Sequence, residues 1–97
     1  MSYVFHPAAE ADHLESVAYF ESKRPGLGAS YLAEFEEMMT HVCEVPHRYP
    51  IEKDTDIRRT GMDRFPYTVY FRETAGSVQV LAVAHHRRRP SYWLGRL

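Results

Sequence analysis

The sequence predicts an α+β fold ordered β-α-α-β-β-β, a helical hairpin packed on a small antiparallel twisted sheet. Three observations predict it. Two stretches between residues 7 and 44 repeat apolar residues every three or four positions. They are joined only by Arg24-Pro25-Gly26-Leu27-Gly28, too short a link for anything but an antiparallel hairpin. Three β-branched or aromatic runs then crowd into residues 56–86 with short turns between them. No repeat, low-complexity tract or linker interrupts the chain, so residues 1–97 are expected to form one domain.

Each element follows from its residues. Tyr3-Val4-Phe5 is aromatic and β-branched and reads as a strand. Pro7 fits the first turn of a helix, where Glu10 and Asp12 are electrostatically favoured. Ala11, Leu14, Val17 and Ala18 mark its apolar stripe, which runs to about Lys23. The second helix spans roughly Ala29 to Glu44, with Leu32, Phe35, Met39 and Val42 inward, Met38 at the edge, and Glu34 and Glu37 outward. Pro46 ends it, and residues 47–55 are loop.

A short strand is expected at Asp56–Thr60, a turn at Gly61–Arg64, and a longer strand at Tyr67–Arg72. After Thr74–Ser77 turns the chain back, a last strand begins at Val78. Simple alternation puts Val78, Val80, Ala82 and Ala84 on one face and Leu81 and Val83 on the other. A strand apolar on both faces belongs in the middle of a sheet. The expected core is Leu14, Val17, Leu32, Phe35, Met39, Val42, Val69, Phe71, Val80 and Ala82.

The net charge of −1 hides a division. Residues 1–56 carry eleven acids against four bases, and residues 57–97 carry eight arginines against two acids. The halves stand near −7 and +6, which suggests an anionic partner for the second. Its densest part is His85-His86-Arg87-Arg88-Arg89, delivered by the last strand, stopped by Pro90 and followed by Tyr92 and Trp93. Exposed aromatics interleaved with arginine are the composition of a binding surface. That end is expected to do the work, and removing residues from Pro90 onward is expected to abolish function while leaving the fold in place.

Other chemistries find little support. His85 and His86 point to opposite faces of a strand, His41 and His47 are six apart, and Cys43 is alone in mid-helix. No metal or cofactor is expected, and no Gly-rich phosphate loop is present. The longest apolar run, Val80–Ala84, is far short of a membrane span, and the first residues lack the pattern of a signal peptide. A lone cysteine permits no internal disulfide, which fits a cytoplasmic location.

The element order, the phrase Arg58-Arg59 followed by Phe65-Pro66-Tyr67-Thr68-Val69-Tyr70, and the run from Val80 through His85 to Pro90 and Trp93 resemble the ParE/RelE toxin superfamily. These are the small toxins of bacterial type II toxin–antitoxin modules, also called plasmid-stabilisation proteins. The resemblance covers almost the whole chain and is most specific at its C-terminal phrase. It implies a cognate antitoxin that wraps the toxin with an extended segment. It also implies one of two activities: inhibition of DNA gyrase in the ParE-like branch, or cleavage of ribosome-bound mRNA in the RelE-like branch.

Metal-free RNA cleavage needs a base for the ribose 2′-OH, an acid for the leaving oxygen and cations on the phosphorane. RelE-like toxins supply lysines and arginines on the middle strands, an arginine after the last strand and often a C-terminal tyrosine. Here Arg58 and Arg59 stand where lysines are usual, Tyr67 stands where arginine is typical, and no lysine follows Lys53. The ParE-like branch is the better match, with no catalytic residues. The expected partner-binding set is Arg58, Arg59, Tyr67, His85, His86, Arg87, Arg88, Arg89, Tyr92 and Trp93, facing gyrase and an acidic, extended or helical antitoxin segment that buries Tyr92 or Trp93. The RelE-like alternative would instead use Arg59, His85, Arg87 and Tyr92 on ribosome-bound mRNA.

Overall fold

The structure, a computed structural model, describes residues 1–97. Strand β1 (Ser2–Phe5) leads into helices α1 (Pro7–Lys23) and α2 (Leu27–Glu44), then strands β2 (Arg58–Gly61), β3 (Tyr67–Thr74) and β4 (Ser77–His85). Short 3-10 turns follow α2 at Pro46–Arg48 and β4 at Tyr92–Arg96. The sheet order is β1-β4-β3-β2, so β4 is central as its two apolar faces require. The β2-β3-β4 meander is antiparallel as expected, but β1 lies parallel to β4, so the sheet is mixed. The reason is topological. The helical hairpin returns the chain to the far edge of the sheet before the meander begins, and only a parallel β1 then fits beside β4.

The hairpin is fastened by local chemistry. His6 caps α1, its Nδ1 accepting the Ala8 N–H at 3.0 Å. Gly26 takes a left-handed conformation (φ 89°), and the Glu21 carboxylate accepts the N–H groups of Gly26 and Gly28 that open α2. A Cβ on Gly28 would stand 2.8 Å from the Val17 carbonyl, so only glycine lets the two helices approach this closely.

The α1 stripe is rotated from expectation, and the α2 stripe holds at Phe35, Met39 and Val42 but takes Tyr31 in place of Leu32. Leu14 is 60% exposed and Leu32 38%, while Ala9, His13 and Ser16 of α1 and Tyr31, Phe35, Met39 and Val42 of α2 are buried. Val17 is half-buried against this core. The cause is aromatic. Phe5, His13, Tyr31 and Phe35 form a continuous stack, with His13 centred 4.3 Å from Phe35 and 5.1 Å from Phe5. Turning Tyr31 inward buries more apolar area than Leu32 could, and on α1 the inward His13 leaves its neighbour Leu14 facing out.

His13 sets a pH dependence. Burial lowers its ionisation below the usual imidazole range, with Glu36 and Glu10 opposing in part. Stability is therefore full above the unfolded value and is lost as the pH falls through the lower folded one. A urea midpoint that falls between pH 7 and pH 5 in the wild type, and falls less in a His13→Leu variant, is the expected result.

Strand β4 does not alternate simply. Its register against β3 jumps from Tyr70↔Ala82 to Phe71↔Val80, a bulge that leaves Leu81 as the extra residue. Past it the faces exchange. Val78, Val80 and Val83 join the helix-side core, whereas Leu81 and Ala82 pack on the opposite side with Ile57 and Trp93. The expected grouping of Val80 with Ala82 is thus corrected, because one inserted residue flips every side chain beyond it.

Candidate functional site

The end of β4 carries the cations. His86, Arg87, Arg88 and Arg89 are exposed, in a turn that leads through Pro90 into the last 3-10 turn. Ser91, at φ 60°, makes the reversal. The loop is tied down locally: the Arg87 N–H donates to His85 Nδ1 (3.0 Å), and the Arg88 N–H to the His85 carbonyl (2.9 Å). The Arg88 guanidinium lies over the Tyr92 ring, 3.8 Å from its centroid.

Beneath the loop sits a lock that no local pattern announces. Strand β1 ends at Phe5 and covers β4 only as far as Val80, so the β4 edge beyond it would be open. Asp12 and Arg96 close it with side chains. Asp12 Oδ2 accepts the Val83 N–H (3.2 Å), and Arg96 Nη1 donates to the Leu81 carbonyl (3.1 Å). The two side chains, 12% and 15% exposed, pair with each other at 2.7 Å. Tyr92 Oη also donates to Asp12 (3.1 Å). Burial first, then Asp12, pushes the Tyr92 phenol up to about 12, so it stays protonated and donating.

The aromatics are not a free surface. Trp93 is 3% exposed, its ring 4.9 Å from Tyr70 and packed with Ile57, Leu81 and Ala82. Tyr92 is half-buried under Arg88 and Arg96. An antitoxin therefore cannot be what buries Trp93, because the fold already does so. Indole is too large and apolar to leave beside an uncovered sheet face.

Tyr67, too, is only 7% exposed, in the helix-side core against Phe20, Tyr31 and His85. Its position at the start of β3 points it under the hairpin and not toward a partner. Arg58 holds the preceding loop, donating from Nη1 to the carbonyls of Tyr49 (2.7 Å) and His47 (3.2 Å). Arg59 pairs with Glu52 at 2.8 Å. Of the residues expected to meet a partner, His86, Arg87, Arg88 and Arg89 remain exposed in one place, with His85 half-buried at their base.

A family model described as the ParE toxin of the type II toxin–antitoxin system, parDE, matches residues 3–90. The chain belongs to the ParE toxin family. No curated protein matches it. A solved structure described as the chromosomal ParDE TA system from P. aeruginosa is similar in fold, with a TM-score of 0.76 at 17% identity over 88% of this chain and 95% of that one. Two of the lock residues of this ParE-family chain, Tyr92 and Arg96, lie beyond the matched span, and the third, Asp12, lies within it.

Sequence reasoning missed Asp12 and Arg96 as a pair. They are 84 positions apart, and Asp12 reads equally well as an ordinary acid in the first turns of a helix. The one signal available was negative. A β4 longer than β1 needs something to satisfy its edge, and a buried edge without partners is costly.

Proposed function

We propose that this toxin acts by gripping DNA gyrase through the exposed Arg87–Arg89 loop, not by cutting RNA. A cognate antitoxin neutralises it by laying an acidic segment over the same loop. The observation that carries this reading is the state of His85. Its Nδ1 accepts the Arg87 N–H, so in the neutral ring the proton sits on Nε2 and the lone pair a general base needs is already used. Tyr92 donates to Asp12 and is held protonated, which makes it equally unsuited to take a proton from a 2′-OH. Guanidinium groups do not deprotonate near neutrality. What remains is an exposed cluster of three arginines with His86 beside them, on a base tied down by His85 and Tyr92, and that cluster suits an electrostatic contact.

Inhibition of gyrase-dependent supercoiling by the purified toxin tests this. Wild type should inhibit. Single Arg→Glu changes at positions 87, 88 and 89 should weaken it in steps and the triple change should abolish it, with thermal unfolding near wild type because all three side chains are exposed. Antitoxin affinity should fall with the same changes and with added salt. A triple variant that still inhibits gyrase, or still binds the antitoxin as tightly as wild type, would contradict the proposal.

A further inference from the structure

A groove of about 790 Å³ runs between α2 and the outer edge of β2, on the opposite side of the sheet from β1. Its lining mixes Met38, Tyr49 and Met62 with Glu37, Glu44 and Asp63, and it also holds His41 and Arg64, the latter paired with Glu34. None of Glu37, Glu44 and Asp63 is in an ion pair. Glu34 closes the groove, its carboxylate accepting from the N–H groups of Asp63 and Arg64 and from Arg64 Nε at 2.8 Å. Those bonds hold Glu34 ionised below the usual carboxylate range although burial opposes them.

The β2 edge facing this groove is only half covered. The Arg59 N–H reaches outward to the Pro50 carbonyl (3.1 Å), and the Glu52 N–H to the Ile57 carbonyl (2.7 Å). Antiparallel alternation puts the Gly61 N–H and C=O on the same outward side, two residues on, past the end of that cover. Gly61 is exposed, and a Cβ there would meet nothing nearer than 4.0 Å.

We propose that this edge and groove dock an extended peptide segment of a partner protein bearing arginine or lysine at alternate positions. Its backbone would bond at Gly61, and its cations would meet Glu37, Glu44 and Asp63. Charge complementarity chooses the occupant. An acidic segment would be repelled here, so this surface takes a different partner segment from the one that meets Arg87–Arg89. The inference is independent of the gyrase reading, since no residue is shared.

The test uses the full-length toxin and a fluorescein-labelled peptide of about eight residues, a usual strand length, alternating arginine with valine. Its glutamate–valine counterpart is the control. Anisotropy should show binding by the arginine peptide that weakens with salt. Affinity should drop about tenfold in a Glu37→Gln/Glu44→Gln/Asp63→Asn variant. Added peptide should shift the Gly61 amide resonance, while an Arg87→Glu/Arg88→Glu/Arg89→Glu variant should bind it as wild type does. Equal binding by wild type and the triple acid variant, or shifts that miss Gly61, would overturn the proposal. So would sedimentation showing that the free toxin dimerises through this groove, which would assign it to a second copy.

Discussion

Cutting the chain before Pro90 is expected to destabilise it severely. The removed segment carries Trp93, which covers Ile57, Leu81 and Ala82, and Arg96, which closes the β4 edge with Asp12. Loss of a buried tryptophan alone costs about 3–5 kcal/mol, against a total of about 5–15 kcal/mol for a small domain. The expectation that residues from Pro90 onward could be removed with the fold left in place is therefore corrected. A loss of toxicity on truncation would report unfolding and not a lost contact. Urea unfolding separates the two contributions. Trp93→Ala should lose about 3–5 kcal/mol, and Arg96→Ala about 3 kcal/mol because it leaves the Asp12 carboxylate largely buried and unpaired. Arg96→Ala combined with Asp12→Ala should cost less than the sum of the two single changes. A truncated chain with a wild-type urea midpoint would refute the lock.

The second large effect is at Phe35. Its ring is fully buried and touches the rings of Tyr3, Phe5, His13 and Tyr31, joining β1 to both helices. Phe35→Ala should cost about 3–5 kcal/mol, since a cavity there is bounded by rigid rings that cannot collapse into it. Leu32→Ala, one turn away but 38% exposed, should cost under about 1 kcal/mol. That contrast checks the inward face of α2 directly. Equal losses at the two positions would mean that the stripe runs through Leu32 after all.

The sequence carried the order of the elements because that order rests on local signals: periodicity in the helices, β-branched runs in the strands, Pro46 and Pro90 as stops. It also carried the central place of β4. It carried Phe35, Met39 and Val42 of the α2 face but not the α1 face or the choice of Tyr31 over Leu32, because both are credible core residues and only the stack with Phe5, His13 and Phe35 decides between them. The faces of β4 beyond Leu81 were illegible for a different reason. A bulge depends on the partner strand's register, which no alternation within β4 reveals.

At the site, exposed charge was legible and burial was not. Arg87–Arg89 stand in solvent where a run after a strand end should stand. Arg58 reads the same way yet is spent on the loop before β2, while Arg59 stays exposed and pairs with Glu52. The aromatics beside the arginines suggested a binding face, whereas Trp93 serves as the cover of the sheet's second face and Tyr92 as a strut between Arg88 and Asp12. Composition gives the chemistry available at a chain end, but which side chains the fold consumes depends on contacts such as Asp12 to Arg96, across nearly the whole chain.

The most direct measurement of the toxin's mode of action is primer extension on mRNA from translating ribosomes incubated with the purified protein. With the His85 lone pair taken by the Arg87 N–H and Tyr92 held protonated on Asp12, the account predicts that the transcript remains intact and that gyrase-dependent supercoiling is blocked at the same toxin concentrations. Codon-dependent cuts that vanish in a His85→Ala or an Arg87→Ala variant would contradict this account and make the protein a ribosome-dependent nuclease.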